Sequence, residues 1–204
     1  MDNFDFLKKY QRLQYRITLD KLVDLGFATM GYSKTDQSAF WNLALTDQLL
    51  SEDQTIKIEE IFNSLNRKST LYFENKKSLL SLINNLKKKN YEKSFEDSWL
   101  FWDKRGIDTK YFESVKKVTD VQQLKVFLAT FNSCYQKDDP QNVYGELGDY
   151  LKVAELAWYK HQETNRLEYF IVYKENQPVA VSSLTNFEGL GYIANVGSLR
   201  EVRG

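Results

Sequence analysis

The sequence is poor in proline, glycine, cysteine and histidine, and each shortage narrows what the protein can be. Two prolines and nine glycines in 204 residues argue against long disordered tracts. The single cysteine, Cys134, cannot form a disulfide within the chain, which fits a reducing compartment. The single histidine, His161, would have to serve any Ser-His-Asp site or metal cluster alone. Metal chemistry is therefore poorly supported, and no metal site is predicted.

The sequence also lacks long apolar runs and an excess of either charge. No stretch reaches the ~18 uninterrupted apolar residues of a transmembrane helix, and residues 1–15 lack the apolar core of a signal peptide. Lys plus Arg and Asp plus Glu balance at 28 each, so no net field attracts nucleic acid or anionic lipid. We expect a folded cytoplasmic protein with neither a nucleic acid nor a membrane as partner.

Periodicity predicts two successive units, residues 1–110 and 111–204, separated by the polar stretch 103–110. In the first unit we predict a helix over 2–25 that ends at Gly26, and strands over 40–45, 70–73 and 98–102. Two further helices are predicted from apolar stripes at 58–65 and 79–86. The first of these two helices is capped by Ser51 and Gln54. In the second unit they are a strand over 112–118, helices with stripes at 124–131 and 147–158, the first capped by Asp120, and strands over 168–173, 178–184 and 192–198.

Chemically distinctive residues have ordinary structural explanations in these elements. Cys134 continues an apolar helix face, so we expect it to be buried and structural. His161 lies at the polar end of a helix, where we expect a solvated or C-capping side chain. Aromatic residues on the predicted strands are expected to pack rather than to stack on bases: Trp99, Phe101, Trp102, Tyr169 and Tyr173.

The order of elements in the second unit resembles the opening half of the GNAT (GCN5-related) N-acetyltransferases. The stretch 118–120 looks like that family's entry into its first helix, and 169–184 looks like its strands 2 and 3. The clearest likeness is Val196-Gly-Ser-Leu-Arg-Glu-Val-Arg-Gly204, which is similar to the stretch from strand 4 into the acyl-CoA loop. Arg200 departs from the usual proline there. The predicted fold class is α/β (α+β), with mixed, mostly antiparallel sheets flanked by helices.

The resemblance implies an acetyltransferase that moves the acetyl group of acetyl-CoA to a primary amine of a small molecule or a protein. By position, Val196, Gly197 and Ser198 would line the pantetheine and thioester, and Arg203 and Gly204 would begin the pyrophosphate cradle. Successive backbone N–H groups bind phosphate only where no side chains intervene, which is why such loops need glycine. Glu168 and Glu188 are the available carboxylates for a general base, although solvated strand-end charges explain them better, and the base stays unassigned.

Two features leave a second interpretation open. The acyl-CoA loop is only begun at Arg203 and Gly204, so we expect the chain as given to be truncated, incomplete and inactive. The first unit resembles the other portion of such a fold in degenerate form, and its stretch 46–50 lacks the glycines that cradle a pyrophosphate. The alternative is a non-catalytic interaction module, including a homodimer formed by pairing or exchange of the strand-4 edge.

Overall fold

The computed structural model describes residues 3–102, 106–142 and 144–203. The chain separates into two compact units, Met1–Arg105 and Gly106–Gly204, each with a four-stranded sheet in its described part. The elements of the first unit are α1 (Asn3–Gln14), β1 (Lys21–Asp24), β2 (Thr29–Tyr32), β3 (Leu43–Leu45), α2 (Glu52–Ser64), β4 (Leu71–Tyr72) and α3 (Leu80–Lys88). Those of the second unit are β5 (Val115–Lys117), α4 (Val121–Cys134), α5 (Tyr150–His161), β6 (Leu167–Lys174), β7 (Gln177–Phe187) and β8 (Leu190–Ser198).

The first unit is a small mixed sheet packed on α2 and α3. Strands follow the order β1-β2-β3-β4, antiparallel except for the parallel pair β3–β4, whose crossover is α2. The predicted capping box begins α2, because the Ser51 side chain accepts from the Gln54 N–H and the Gln54 side chain accepts from the Ser51 N–H. The core consists of Ala28, Met30, Ala44, Leu50, Ile58, Phe62, Leu79, Leu82 and Leu86.

Three predictions for the first unit are wrong in whole or in part. The predicted strand over 40–45 begins only at Leu43, because residues Ala39–Trp41 form a 3-10 turn. The predicted helix over 2–25 ends at Gln14, and the chain then turns through Arg16, at φ 67°, into the hairpin β1–β2. Gly26 does not end a helix but lies in the hairpin turn, at φ 78°. Residues 98–102 form no strand in their described structure. Trp99 instead packs its ring edge-on against Tyr10, with 4.8 Å between ring centroids.

The second unit is an antiparallel meander, β5-β6-β7-β8, with α4 and α5 inserted between its first two strands. Its predicted helices and strands are confirmed, although the predicted first strand is shortened by a 3-10 turn over Phe112–Ser114. Asp120 caps α4 as predicted, accepting from the Gln123 N–H at 2.8 Å. Tyr169 stacks on Phe127, with centroids 4.2 Å apart, and so fixes α4 on the sheet. The mixed, mostly antiparallel fold class is confirmed.

The burial of the single cysteine and the single histidine can be compared with what the sequence predicted for them. Cys134 is buried and free, as predicted. His161 is also buried, so the expectation of a solvated side chain is wrong, while the alternative of a C-capping role stays a prediction. The helical period explains the error, because His161 shares the buried side of α5 with Ala154 and Trp158. Among the described helices, none is long and apolar enough to cross a membrane.

Two isoleucines of α2, one buried and one exposed, allow a test of how much core packing contributes to the stability of the first unit. Ile58 is 0% exposed and Ile56 is 38% exposed on the same helix. We expect Ile58→Ala to lower the free energy of unfolding by about 2–5 kcal/mol, because it leaves a cavity. We expect Ile56→Ala to change it by about 0.5 kcal/mol or less, since it leaves no buried space. Urea unfolding followed by circular dichroism measures both values, and equal losses would contradict the packing described.

The burial of Cys134 also makes a prediction about reactivity. Burial raises the pKa of the Cys134 thiol to about 11, with Arg203 acting in the opposite direction. At pH 8 the folded chain therefore holds the unreactive protonated thiol. We expect iodoacetamide to label it on the order of a hundredfold more slowly in the folded chain than in urea. The rate in the folded chain should rise as the pH approaches 11.

The matched control moves the thiol by one position. In the double variant S133C/C134S the cysteine stands at an exposed position of the same helix turn. This variant should label at comparable rates with and without urea. A native Cys134 that reacts as fast as this control at pH 8 would be inconsistent with a buried thiol.

Candidate functional site

The end of β8 carries an irregularity that separates it from the other strands of its sheet. Pairing slips between Val181 and Ser183 of β7, so that Asn195 and Val196 of β8 together oppose Ser182. Asn195 adopts φ 53°, in the left-handed region. The result is a β-bulge, which bends the strand and turns its backbone groups in new directions.

Two tyrosines from the helices hold the bulge. The Tyr150 hydroxyl, at the first residue of α5, donates to Asn195 Oδ1 at 3.1 Å. The Tyr135 hydroxyl, just after α4, donates to the Val196 carbonyl at 3.1 Å. Burial raises the pKa of Tyr135 to about 12, so this hydroxyl remains a hydrogen-bond donor at neutral pH. Each residue of the bulge is therefore fixed from the helical side of the sheet.

Gly197 lets β8 approach the last turn of α4. A Cβ atom at this position would lie 2.7 Å from Cys134 Cβ and 3.1 Å from a ring carbon of Tyr135. A contact of 2.7 Å is too short for two carbon atoms, so glycine is required here for space and not for an unusual φ. The backbone after the bulge therefore packs directly against the last turn of α4.

Ser198 turns its backbone groups away from β7. The Leu199 N–H donates to the Val179 carbonyl at 2.9 Å, and Ser198 is the Cα partner of Ala180. In an antiparallel ladder, such a pair is the non-hydrogen-bonded kind, whose N–H and C=O groups point outward. Because β8 is the last strand of its sheet, the Ser198 N–H and C=O face the outer edge.

The Arg203 side chain donates hydrogen bonds to the outward-facing carbonyl of Ser198. Its Nε and Nη2 donate to the Ser198 carbonyl at 3.0 and 2.6 Å, and its Nη1 pairs with Asp139. The backbone N–H of Gln141 and the Arg203 guanidinium hold the pKa of Asp139 below its ordinary value. The guanidinium thus joins the connection after α4 to the end of β8.

The structure brings four of the five predicted cofactor-binding residues to one place. Val196 is exposed at the bulge, Gly197 and Ser198 follow it, and Arg203 folds back onto Ser198. Gly204 lies outside the described residues. The Arg203 side chain is engaged with protein groups, which the sequence did not predict. Binding of a cofactor by these residues stays a prediction.

The two candidate carboxylates for a general base are not at this place. Glu168 forms an ion pair with Lys117 of the neighbouring strand β5. Glu188 has φ 49° in the tight turn between β7 and β8, at the opposite end of β8 from the bulge. The ion pair accounts for the Glu168 side chain, and Glu188 lies in a turn far from the bulge. Within the described parts of the chain, no group of three or more His, Cys, Asp or Glu side chains is placed to hold a metal.

In the first unit, strands β3 and β4 are joined by backbone hydrogen bonds. The Ala44 N–H donates to the Thr70 carbonyl at 2.8 Å, and the Thr46 N–H donates to the Tyr72 carbonyl at 3.1 Å. The Thr46 hydroxyl is turned to the Phe27 carbonyl at 2.9 Å. The parallel pair β3–β4 is therefore hydrogen-bonded along its length, and its backbone donors are used within the sheet.

Four residues of the site were not predicted from the sequence: Tyr135, Asp139, Tyr150 and Asn195. Asn195 carried a usable signal, because asparagine tolerates the left-handed conformation and stands in an otherwise strand-like stretch. The other three carried none, since Asp139 meets Arg203 across 64 positions, Tyr135 meets Val196 across 61 and Tyr150 meets Asn195 across 45.

Comparisons with known proteins bear on the fold. No protein family and no curated protein matches the sequence. A functionally unknown conserved protein from Staphylococcus epidermidis matches with TM-score 0.58 and 12% identity, over 91% of this chain and 73% of that one. A GCN5-related N-acetyltransferase from Kribbella flavida matches with TM-score 0.52 and 12% identity, over 97% and 73%. A predicted acetyltransferase with acetyl-CoA from Clostridium acetobutylicum reaches only TM-score 0.30 at 15% identity, over 44% and 62%, and carries no argument. The chain therefore shares the fold of a GCN5-related N-acetyltransferase.

Proposed function

We propose that the second unit binds the thioester of acetyl-CoA along the outer edge of β8 and transfers the acetyl group to a primary amine. The observation that carries this proposal is the bulge at Asn195 and Val196, followed by a backbone N–H at Ser198 that faces the outer edge. The shared fold supports it. A fold alone does not fix an activity, so the geometry of this edge is what supports acetyl transfer.

The chemistry that such an edge can perform is acyl transfer without a covalent enzyme intermediate. The amine nitrogen attacks the thioester carbonyl, a C–N bond forms, and the C–S bond breaks to release the thiolate of coenzyme A. The amine loses a proton and the thiolate gains one. An outward N–H such as that of Ser198 would donate to the oxyanion, and the bound geometry would supply proximity.

The proposed cofactor residues divide by role. Val196, Gly197 and Ser198 would line the pantetheine and thioester through their backbone. Arg203 and Gly204 would begin the pyrophosphate cradle. Arg203 would do so through its backbone, because its guanidinium is engaged with Ser198 and Asp139. The acceptor would be a primary amine of a small molecule or a protein.

The first unit is proposed to be non-catalytic. Its pair β3–β4 stays hydrogen-bonded, so a pantetheine could not enter between these strands without breaking the ladder. Two of the four N-terminal donors of α2 are also engaged, since Ser51 and Gln54 satisfy one another in the capping box. These two features support a structural role for this unit.

The alternative function, an interaction module that pairs β8 with another strand, is less well supported. A pairing strand needs both donors and acceptors along the edge. The carbonyls of Val196 and Ser198 already accept from Tyr135 and Arg203. An edge with engaged acceptors and an outward donor is better suited to a ligand that contributes carbonyl oxygens.

Acetyl-CoA binding to the chain tests the proposal, with two substitutions of Ser198. Ser198→Pro removes the outward N–H without removing a bond to β7, because proline is tolerated where the donor is not in the ladder. The expectation that the chain as given is incomplete and inactive stays a prediction, because the loop is only begun at Arg203 and Gly204. The thioester edge of β8 is nevertheless present, so we expect saturable binding of one acetyl-CoA per chain in calorimetry, and about a tenfold weaker affinity for Ser198→Pro. Ser198→Ala, which keeps the N–H, should bind as the unchanged chain does.

Two results would contradict the proposal. One is the absence of saturable binding to the unchanged, folded chain. The other is equal affinity of the proline and alanine variants, which would place the ligand away from the Ser198 N–H. Sedimentation of the same samples gives the mass, and a concentration-dependent dimer without acetyl-CoA binding would favour the interaction module.

A further inference from the structure

The connection between α4 and α5, residues 135–149, is fastened to the end of β8 and the turn after it, and the shortest contacts come from three side chains in or next to the connection. Tyr135 reaches the Val196 carbonyl at its beginning, and Tyr150 reaches Asn195 immediately after its end. Between them, Asp139 pairs with Arg203. The three contacts fall within nine residues of the bulge, so the connection and the proposed site share one set of supports.

Asp139 is the most enclosed of these contacts. Its side chain is 5% exposed, and that of Arg203 is 19% exposed. One carboxylate oxygen accepts from the Gln141 N–H at 3.0 Å and the other accepts from Arg203. The Asp139 carbonyl also accepts from the Asn142 N–H at 3.0 Å. Asp139 therefore shapes its own turn and presents a fixed carboxylate to Arg203.

The Arg203 guanidinium, held by Asp139, in turn binds the end of β8. Its Nε and Nη2 hold the Ser198 carbonyl from two directions, and Nη2 also lies 3.4 Å from the Cys134 carbonyl at the end of α4. Its Nη1 reaches Gln141 Oε1 at 3.4 Å as well as Asp139. A planar fork of this kind fixes angles as well as distances, which a lysine ammonium does not.

We infer that Asp139 is a positioning residue that acts through Arg203: the pair locks the α4–α5 connection onto the end of β8 and engages the Ser198 carbonyl, which leaves the Ser198 N–H as the outward group. The inference deepens the proposed function and rests on it for the ligand that the edge would take. The lock itself is independent of any ligand.

The experiment compares two adjacent aspartates. Asp139→Asn removes the enclosed charge and keeps the size of the side chain. Asp138→Asn is the matched control, because the Asp138 side chain is 84% exposed and lies 4.0 Å from Arg200. Hydrogen–deuterium exchange of the full chain is measured for peptides covering 135–149 and 195–203, with peptides covering β5 and β6 as an internal reference.

We expect Asp139→Asn to accelerate exchange in both peptides by about tenfold, because the arginine loses the carboxylate that holds it. The reference strands β5 and β6 should exchange as in the unchanged chain, and Asp138→Asn should change nothing. The inference is overturned if both variants behave alike, or if Asp139→Asn accelerates exchange uniformly through the second unit.

Arg203→Lys provides a second variant in case Asp139→Asn does not fold. Lysine keeps the charge opposite Asp139 but cannot bridge it to the Ser198 carbonyl with a planar fork. We expect faster exchange in 195–203 and little change in 135–149. Faster exchange in neither peptide would contradict the proposed bridge.

Acetyl-CoA affinity forms a separate part of the test. If the proposed function holds, Asp139→Asn should weaken acetyl-CoA binding by about tenfold while Asp138→Asn leaves it unchanged, since only the first disturbs the edge. Failure of the unchanged chain to bind acetyl-CoA would remove the proposed function. The exchange measurements would still decide whether Asp139 and Arg203 form the lock.

Discussion

One additional residue in β8 governs the second unit. Strand residues alternate in direction, so a two-against-one pairing at Asn195 and Val196 changes which groups face the neighbouring strand on either side of it. After the bulge, Gly197 can lie against α4 and Ser198 can face the outer edge. Tyr135, Tyr150 and Arg203 are all attached to this short stretch. The bulge is thus the feature around which both helices and the following turn are arranged.

The two units differ in how the backbone groups of β3 and β4, in the first, and of β8, in the second, are hydrogen-bonded. In the first, the parallel strands β3 and β4 exchange backbone hydrogen bonds, and the helix that follows β3 satisfies two of its N-terminal donors in a capping box. In the second, β8 is the last strand of its sheet, and side chains rather than a neighbouring strand engage its outward carbonyls. Hydrogen-bond accounting therefore distinguishes the units more clearly than the order of their elements does.

Sequence patterns predicted the second unit better than the first. Long strands such as β6 and β7 carry enough alternation to be recognised, and Asp120 marks the start of α4. The hairpin β1–β2 was missed because four-residue strands contain too few alternations to be told from a helical stripe. For the site, the resemblance placed Val196 to Ser198 and Arg203 together. Asp139 could not be predicted, because a contact across 64 positions leaves no local periodicity.

The protection of the β8 edge has a consequence for recognition. Free edges invite another strand, and proteins commonly prevent this with charges, bulges or covering segments. Here a bulge is combined with a tyrosine hydroxyl and a guanidinium that occupy the carbonyls of Val196 and Ser198. Strand addition is thereby opposed, because it requires acceptors and donors in alternation. A ligand that requires only a donor is not opposed. The same two side chains therefore oppose strand pairing and leave exposed the backbone donor that the proposed thioester carbonyl would need.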